Sequence, residues 1–436
     1  MSDHLGMGLH PYRMDIKGWL ITESPLHLGD GGVVADKLKK SDQDENPLLS
    51  TLLRDGDGLP FIPGSSLKGL LRGLMAERAQ ADALFGVPKL DKKNHGRMSH
   101  VIIWGGSCVP EPVATAPYAA QLGGDSFAAA RTAINPETGT ADAHKLFFQE
   151  MLAPGTKIPL DMLLIADNAQ VLDQQWQALL PLLVRLAHGA QLGKGKGDGQ
   201  GRVRLLPETL TVTRHALQAD GTMSTTPVPI PALSQVTPPV LAGRTWTLTL
   251  TCPGPFAVLD SSRKRDRKAG QEADKDNPAL AGQSLDGNLP HIPGTSLMGA
   301  LRAQARWLKA LKGDPGDGTP AGDAPAVCAL FGTTGHRGRL WLEQLKVTAG
   351  TKWDVTSVKL DRFSGAPIDG ALFTTTTYTG VEATATLRLM PDVDDETTSL
   401  TEELLAAIRE DGLLLGHGTN KGFGWFDVAV QEGING

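Results

Sequence analysis

The spacing of apolar positions predicts the same series of elements twice along the chain. Alternation with a period of two is typical of strands, and apolar residues at i, i+3, i+4 and i+7 are typical of one helix face. In the first half the pattern predicts strands at 13–23, 99–105, 157–166 and 201–213, and helices from Ser65 or Ser66 and over 170–188. In the second half it predicts strands at 244–252, 338–348, 381–391 and 422–431, and helices at 296–311 and 398–410. Both series run strand, helix, strand, strand, helix, strand, which predicts an α+β fold of two tandem ferredoxin-like domains.

Short motifs recur in the same order in both halves, so the chain is an internal duplication. Leu59-Pro-Phe-Ile-Pro-Gly-Ser-Ser-Leu-Lys-Gly-Leu-Leu-Arg72 corresponds to Leu289-Pro-His-Ile-Pro-Gly-Thr-Ser-Leu-Met-Gly-Ala-Leu-Arg302. Each phrase is followed by Ala-Leu-Phe-Gly, and each half contains a glycine-rich loop, at 192–201 and 415–424. The 436 residues are enough for two domains of about 200 residues each. We predict domains at 1–215 and 244–436, joined by a linker at 216–243 that is rich in proline and threonine.

Long polar insertions separate the first strand from the first helix in both halves, at 29–58 and 253–287. Because they lie at matching places in the two repeats, we expect loops, with β-hairpin insertions, that project from one face.

The composition is that of an ordinary globular protein, with 40% apolar and 21% charged residues. No apolar run reaches the length of a membrane span and the N-terminus lacks a leader pattern, so we expect a cytoplasmic protein without a membrane partner. The net charge of −6 argues against wholesale binding of polyanions. Charge acts locally, however, and basic clusters at 37–40, 263–268 and in the first glycine loop are compatible with RNA binding.

The glycine loops and the two helix starts are the candidate anion-binding segments. Glycine at alternate positions exposes backbone N–H groups that can bind phosphate oxygens, and a helix start attracts anions. Lys194 and Lys196 are each followed by glycine, so the loop is no Walker motif. The alternatives are a flexible connector for each loop and a plain capped helix, with hydroxyl caps, for each phrase. The candidate RNA-binding residues are Ser65, Ser66, Lys68, Gly193, Lys194, Gly195, Lys196, Thr295, Ser296, Gly416, His417, Gly418 and Lys421.

With these motifs the chain resembles the RAMP superfamily of CRISPR proteins, specifically the repeated backbone subunit of type III effector complexes, as a tandem fusion of two units. The resemblance rests on the two phrases, on Leu-Phe-Gly, on Ala133-Ile-Asn-Pro-Glu-Thr-Gly139, on Lys359-Leu-Asp-Arg362 and on the glycine loops. A fusion of two units is similar to the type III-D variants and the fused type III-E effectors. The sequence does not distinguish between these subtypes.

The resemblance implies an RRM-like palm that holds guide crRNA and a β-hairpin thumb that inserts into the guide–target duplex at six-nucleotide intervals. It also implies other CRISPR effector subunits as partners. Family members that cut target RNA use an aspartate before the first helix, in a pattern like Asp-x-Pro, require a divalent metal and leave a cyclic phosphate. Asp276-Asn-Pro278 matches that pattern, and the first half has Glu45-Asn-Pro47 preceded by Asp44. The resemblance therefore implies Asp276, Asp44 and Glu45 as catalytic residues, with a transient Mg²⁺ or Mn²⁺ at Asp276 and no structural metal site.

Three other functions remain open. A scaffold without nuclease activity would follow if Glu45 reflects loss of catalysis in both halves. A RAMP-type guide-processing endoribonuclease would need a histidine pair that the sequence does not offer convincingly. An unrelated ferredoxin-like metabolic enzyme is disfavoured by the paired glycine loops and the lack of a cofactor fingerprint.

Overall fold

A computed structural model describes residues 11–35, 48–87, 96–110, 125–131, 147–258, 289–316, 322–333 and 335–433. The first half contains thirteen strands and three helices within these ranges. The elements are β1 (Tyr12–Thr22), β2 (Gly29–Ala35), β3 (Leu48–Leu52), β4 (Phe61–Ile62), α1 (Gly64–Gly73), α2 (Arg78–Phe85), β5 (Val101–Trp104), β6 (Gly106–Ser107), β7 (Phe127–Arg131), β8 (Phe147–Met151), β9 (Lys157–Ala166), α3 (Ala169–His188), β10 (Ala190–Gln191), β11 (Arg202–Leu205), β12 (Thr211–Leu217) and β13 (Met223–Pro227).

The second half contains the same core series of strands and helices as the first half, and it has a much longer hairpin than the first half. Its elements are β14 (Arg244–Cys252), α4 (Gly294–Leu311), α5 (Pro325–Phe331), β15 (Gly332–Thr333), β16 (His336–Arg337), β17 (Leu340–Leu360), β18 (Pro367–Leu389), α6 (Asp395–Asp411), β19 (Leu413–Leu414) and β20 (Trp425–Glu432).

Both halves have the ferredoxin-like sheet order, which confirms the predicted fold class. In the second half the antiparallel order is β17-β18-β14-β20, so the first strand of the repeat lies between the third and the fourth. In the first half β9 pairs with β5 and β1, and β11 and β12 share the other edge of β1. The single strand predicted at 201–213 is divided by a 3₁₀ turn at Pro207–Thr209, because proline cannot donate to the ladder.

Each half has its own hydrophobic core beneath its sheet. Strand β14 shows the pattern clearly, since Trp246, Leu248, Leu250 and Cys252 are buried and the threonines between them face outward. The domain bounds at 215 and 244 stay a prediction. Within the proline-rich segment between them, β13 pairs with β12 and Leu233 is buried in the first core.

The repeated arginine of the two phrases explains why Ala-Leu-Phe-Gly recurs after them. The Arg72 guanidinium donates to the backbone O of Gly86 (2.8 Å) and pairs with Asp82. The Arg302 guanidinium donates in the same way to Gly332 O (3.1 Å) and pairs with a buried Asp323 (2.6 Å). Each arginine thus fixes the end of the short second helix to the first helix.

The predicted hydroxyl caps at the two helix starts are wrong. Helix α1 begins at Gly64 and α4 at Gly294, and the residues before them, Pro63 and Pro293, are the N-caps without a side-chain bond. The extended backbone of each proline sets the helix start, and its carbonyl accepts from Ser66 N (3.0 Å) or Ser296 N (2.9 Å). Ser65, Ser66, Thr295 and Ser296 therefore lie inside the first helical turn, with their hydroxyls not used as caps.

Candidate nucleic-acid interface

The two glycine loops adopt one backbone conformation. Gly193, Gly195, Gly199 and Gly201 have φ of 82°, 75°, 73° and 68°, and Gly416, Gly418, Gly422 and Gly424 have 90°, 78°, 80° and 71°. Only glycine adopts these angles without strain. Each loop closes on the segment after the first strand, since Lys194 N donates to His27 O (3.0 Å) and His417 N to Ala257 O (2.7 Å). Each loop therefore has a defined backbone conformation with hydrogen bonds to the segment after the first strand.

The first loop contacts the second half of the chain. Leu342 N in β17 donates to Gly197 O (2.9 Å), and Asp198 forms a parallel bridge with Leu342. The Asp198 carbonyl also lies against Gly294, so closely that a Cβ there would come nearer than 3.0 Å. We call this contact between Gly197, Asp198, Gly294 and Leu342 the joint. It places the predicted loop residues Gly193 to Lys196 beside the predicted helix start with Thr295 and Ser296.

Charged side chains from both halves gather at the joint. Arg131 of β7 donates to Thr295 Oγ1 (2.9 Å), and burial lowers its pKa although Asp198 attracts it. Burial raises the pKa of Asp198 in spite of that arginine. Lys196 is half-buried, and its pKa is lowered by burial and then by the nearby Arg337. Lys194 is exposed on the same loop. Four cations, Arg131, Lys194, Lys196 and Arg337, therefore lie on or beside the first loop, in a chain whose net charge is −6.

His291 makes the stability of the joint sensitive to acid. Burial and then Arg131 lower the pKa of His291 to about 4, whereas an unfolded histidine has a pKa near about 6.5. Between these pH values the unfolded chain binds more protons than the folded chain. The stability that neutral His291 contributes is therefore lost as the pH falls from about 6.5 to about 4. Phe61 occupies the position in the first phrase that corresponds to His291. We expect His291→Phe to reduce the fall in unfolding temperature that occurs when the pH is lowered from 7.5 to 5. An equal fall in both proteins would contradict this assignment.

The other predicted residues lie apart from the joint. Ser65 is exposed on α1, and burial followed by Arg72 lowers the pKa of Lys68. The start of α1 has a different neighbour. There the backbone O of Ile103, which belongs to the same half, lies against Gly64, as the backbone O of Asp198 lies against Gly294 at the start of α4. The second loop, with His417 and Lys421, is exposed, and its contacts among the described residues are with its own half, at Ala257 and Pro255.

The predicted catalytic carboxylates lie outside the described residues. Asp44 and Glu45 fall between the paired strands β2 and β3, and Asp276 falls between β14 and α4. The base of the β2–β3 pair is held by buried polar groups. Glu150 accepts from Leu52 N (2.8 Å) and from Arg54 (2.6 Å), and the His27 ring donates from Nδ1 to Glu150 O (2.7 Å). Burial lowers the pKa of His27, which favours the neutral form of the ring.

The sequence reasoning missed Arg131 and Arg337. Arg131 precedes the Ala-Ile-Asn-Pro motif, and Arg337 follows Leu-Phe-Gly in a short hairpin. The proximity of a basic residue to each of these two motifs was the available signal. Neither residue belongs to an apolar or glycine pattern, so only the fold brings them to the first loop.

The β17–β18 hairpin extends well beyond the sheet of the second half. Its strands pair from Leu340↔Leu389 out to Leu360↔Pro367, with several bulges. At the tip Asp361 accepts from the backbone N–H groups of Phe363 and Ser364, and the Arg362 guanidinium lies over the Phe363 ring at 4.8 Å. The Phe363 side chain is 86% exposed, so an aromatic ring is held free at the end of a long arm.

Comparison with protein families identifies the class. A sequence model of the RAMP superfamily matches residues 19–204 and 276–427, one stretch in each half. The chain belongs to the RAMP superfamily and contains two tandem RAMP units. Membership points to a CRISPR-associated RNA-binding protein, and the superfamily includes endoribonucleases. No curated protein matches the chain.

The described ranges contain neither a metal-binding cluster nor a membrane-spanning helix. Within them, no group of three or more His, Cys, Asp or Glu side chains could hold a metal ion. None of the helices in the same ranges is long and apolar enough to cross a membrane.

Proposed function

We propose that the chain is a guide-RNA-binding backbone subunit of a type III CRISPR ribonucleoprotein and that it cleaves the paired target RNA. The observation that carries the RNA-binding part is the joint, where a glycine loop, a helix start and an excess of cations come from two RAMP units. Phosphates are bound by such backbone N–H groups and by lysine and arginine. The other CRISPR effector subunits would be its protein partners.

The long hairpin supports contact with a nucleic-acid duplex. A free aromatic ring backed by a guanidinium can stack on or wedge between bases. We propose that Phe363 is the tip of a thumb. The palm sheet and the joint would bind the guide strand.

Cleavage would use the loop carboxylates and the RNA itself. The ribose 2′-oxygen forms a bond to the adjacent phosphorus, the bond between phosphorus and the 5′-oxygen breaks, and a cyclic phosphate remains. The leaving 5′-oxygen takes a proton from water. Asp276 would orient the 2′-hydroxyl and accept its proton, and Asp44 or Glu45 would do so in the first half. A divalent ion such as Mg²⁺ or Mn²⁺ would supply charge stabilisation when bound.

RNA binding is tested by the salt dependence of affinity for a labelled single-stranded RNA 20-mer. We expect the double variant Lys194→Ala/Lys196→Ala to bind more weakly and to lower the log–log salt slope by about 0.7 for each phosphate that the lysines neutralise. The matched control is Lys17→Ala/Lys157→Ala, which removes the same charge from exposed positions of β1 and β9. Equal slopes for the two double variants would argue against binding at the first loop.

A non-catalytic scaffold is the second candidate function, and the first half favours it. There the Asp-x-Pro pattern is replaced by Glu45-Asn-Pro47. If Glu45 reflects loss of catalysis in both halves, both units hold the guide RNA and neither cuts the target.

A further inference from the structure

A cavity of about 560 Å³ lies in the second half, between the β15–β16 hairpin and the start of α6. Arg337 and Arg339 line it on the hairpin side, and Asp392 and Asp394 line it on the helix side. The volume is within the range of about 300–1,000 Å³ that is usual for small-molecule sites. Arg337 also influences Lys196, so the cavity adjoins the joint.

Arg337 presents a fixed planar cation to this cavity. Its guanidinium carbon lies 3.8 Å from the centroid of the Trp341 ring. Trp341 is buried, and its indole N–H donates to Gly338 O (2.8 Å), so the ring is held in place. Arg337 itself is exposed. One face of the guanidinium therefore rests on the indole and the other is accessible, and nucleobases stack on guanidinium planes.

Arg337 and Arg339 line the cavity together with Asp392 and Asp394, and Lys196 lies on the adjoining first loop. In the ranges that the structure covers, no carboxylate pairs with Arg337, Arg339 or Lys196. The proximity of Arg337 and Lys196 is unfavourable without an anion between them. A phosphate group would provide that anion.

Asp392 offers an acceptor on the opposite wall. It is the one non-glycine residue with positive φ (63°) in the described ranges. Asp394 is engaged as the cap of α6, where it accepts from Thr397 N (2.7 Å), but Asp392 is exposed and has no hydrogen-bond partner there. A carboxylate accepts from the amino group of a base, so the cavity suits a whole nucleotide better than a bare phosphate.

We propose that this cavity binds one unpaired nucleotide of the RNA strand at the joint. The phosphate lies between Lys196 and Arg337, the base stacks on the Arg337 guanidinium, and its amino group points to Asp392. The inference rests on the proposed RNA binding and adds a site for a single base, with a preference for a base that carries an amino group.

Binding of oligo(rC) and oligo(rU) 20-mers tests the site, because the two pyrimidines differ at the amino position. We expect the unmodified protein to bind oligo(rC) more tightly and Asp392→Asn to remove that preference. Arg337→Ala is expected to weaken binding of oligo(rC) about tenfold. Arg337→Lys keeps the charge and should retain the salt slope while losing most of the affinity. The matched control is Arg78→Ala, which removes a cation whose side chain is 90% exposed on α2.

A photocrosslink locates the base independently of affinity. Oligo(rC) that contains 5-iodocytidine should crosslink to the segment 336–341 in the unmodified protein, and Arg337→Ala should remove that crosslink. If RNA binds but Arg337→Ala behaves like Arg78→Ala and no crosslink maps to 336–341, the nucleotide site is wrong while RNA binding stands. If neither oligonucleotide binds, the proposed function itself fails.

Discussion

In the assembled ribonucleoprotein, Asp276→Ala is expected to abolish one discrete product of target-RNA cleavage. The proposed role of this carboxylate is to orient the 2′-hydroxyl and accept its proton, and loss of such a group typically costs about 10²–10⁴-fold in rate. The measurement is cleavage of a labelled target RNA with Mg²⁺ or Mn²⁺, with guide binding checked on the same preparation. The pair Asp44→Ala/Glu45→Ala should remove a second product if the first unit also cuts.

Asp220→Ala is the matched control, because it removes an exposed loop aspartate from a turn of the described chain. Cleavage that is unchanged in Asp276→Ala, in Asp44→Ala/Glu45→Ala and in the triple variant would discard the nuclease and favour the scaffold. Loss of guide binding together with cleavage would show that the aspartate is needed for assembly and not for the reaction.

Gly294→Ala is expected to open the joint and destabilise the protein. An added Cβ would meet the Asp198 carbonyl closer than 3.0 Å and the Leu342 side chain at 2.9 Å. Both neighbours belong to paired backbone or to the buried core, so they cannot yield without a shift of the first loop. We expect a loss of about 1–3 kcal/mol in the free energy of unfolding, measured by urea denaturation. RNA affinity should fall as well, because the loop and the helix start separate.

Gly299→Ala is the matched control in the same helix. Nothing lies within 4 Å of a Cβ at Gly299, so this change should stabilise the helix by about 0.5–1 kcal/mol. If Gly294→Ala were as stable as Gly299→Ala, the close approach of the first loop to α4 would be wrong.

Strands that bury one face could be predicted from the sequence. Strands that are exposed on both faces could not be predicted. Strand β14 is observed at its predicted bounds, because its buried and exposed residues alternate. Strands β17 and β18 extend far beyond the predicted 338–348 and 381–391. In β17 the residues past 348 are largely exposed on both faces and give no periodic signal. The outer part of the hairpin is held together by pairing between its two strands. The spacing of apolar residues along the sequence does not reveal that pairing.

The candidate site was predicted in pieces. The glycine loops and helix starts could be found because they recur, and glycine at fixed positions has a conformational reason. Their assembly into one site could not be predicted. The joint is made by backbone groups of Gly197 and Leu342, which are far apart in the sequence, and every residue has the same backbone groups. For the same reason no residue pattern identified which loop would meet which helix.

The joint has a further consequence because both of its sides belong to one chain. A tether between two binding partners replaces their free concentration by an effective one, which reaches the millimolar range for short linkers. The contact can therefore stay closed with few direct bonds, such as those of Leu342 N and Arg131. Cleaving the chain between 216 and 243 would remove this advantage and turn the joint into a concentration-dependent association of two separate units.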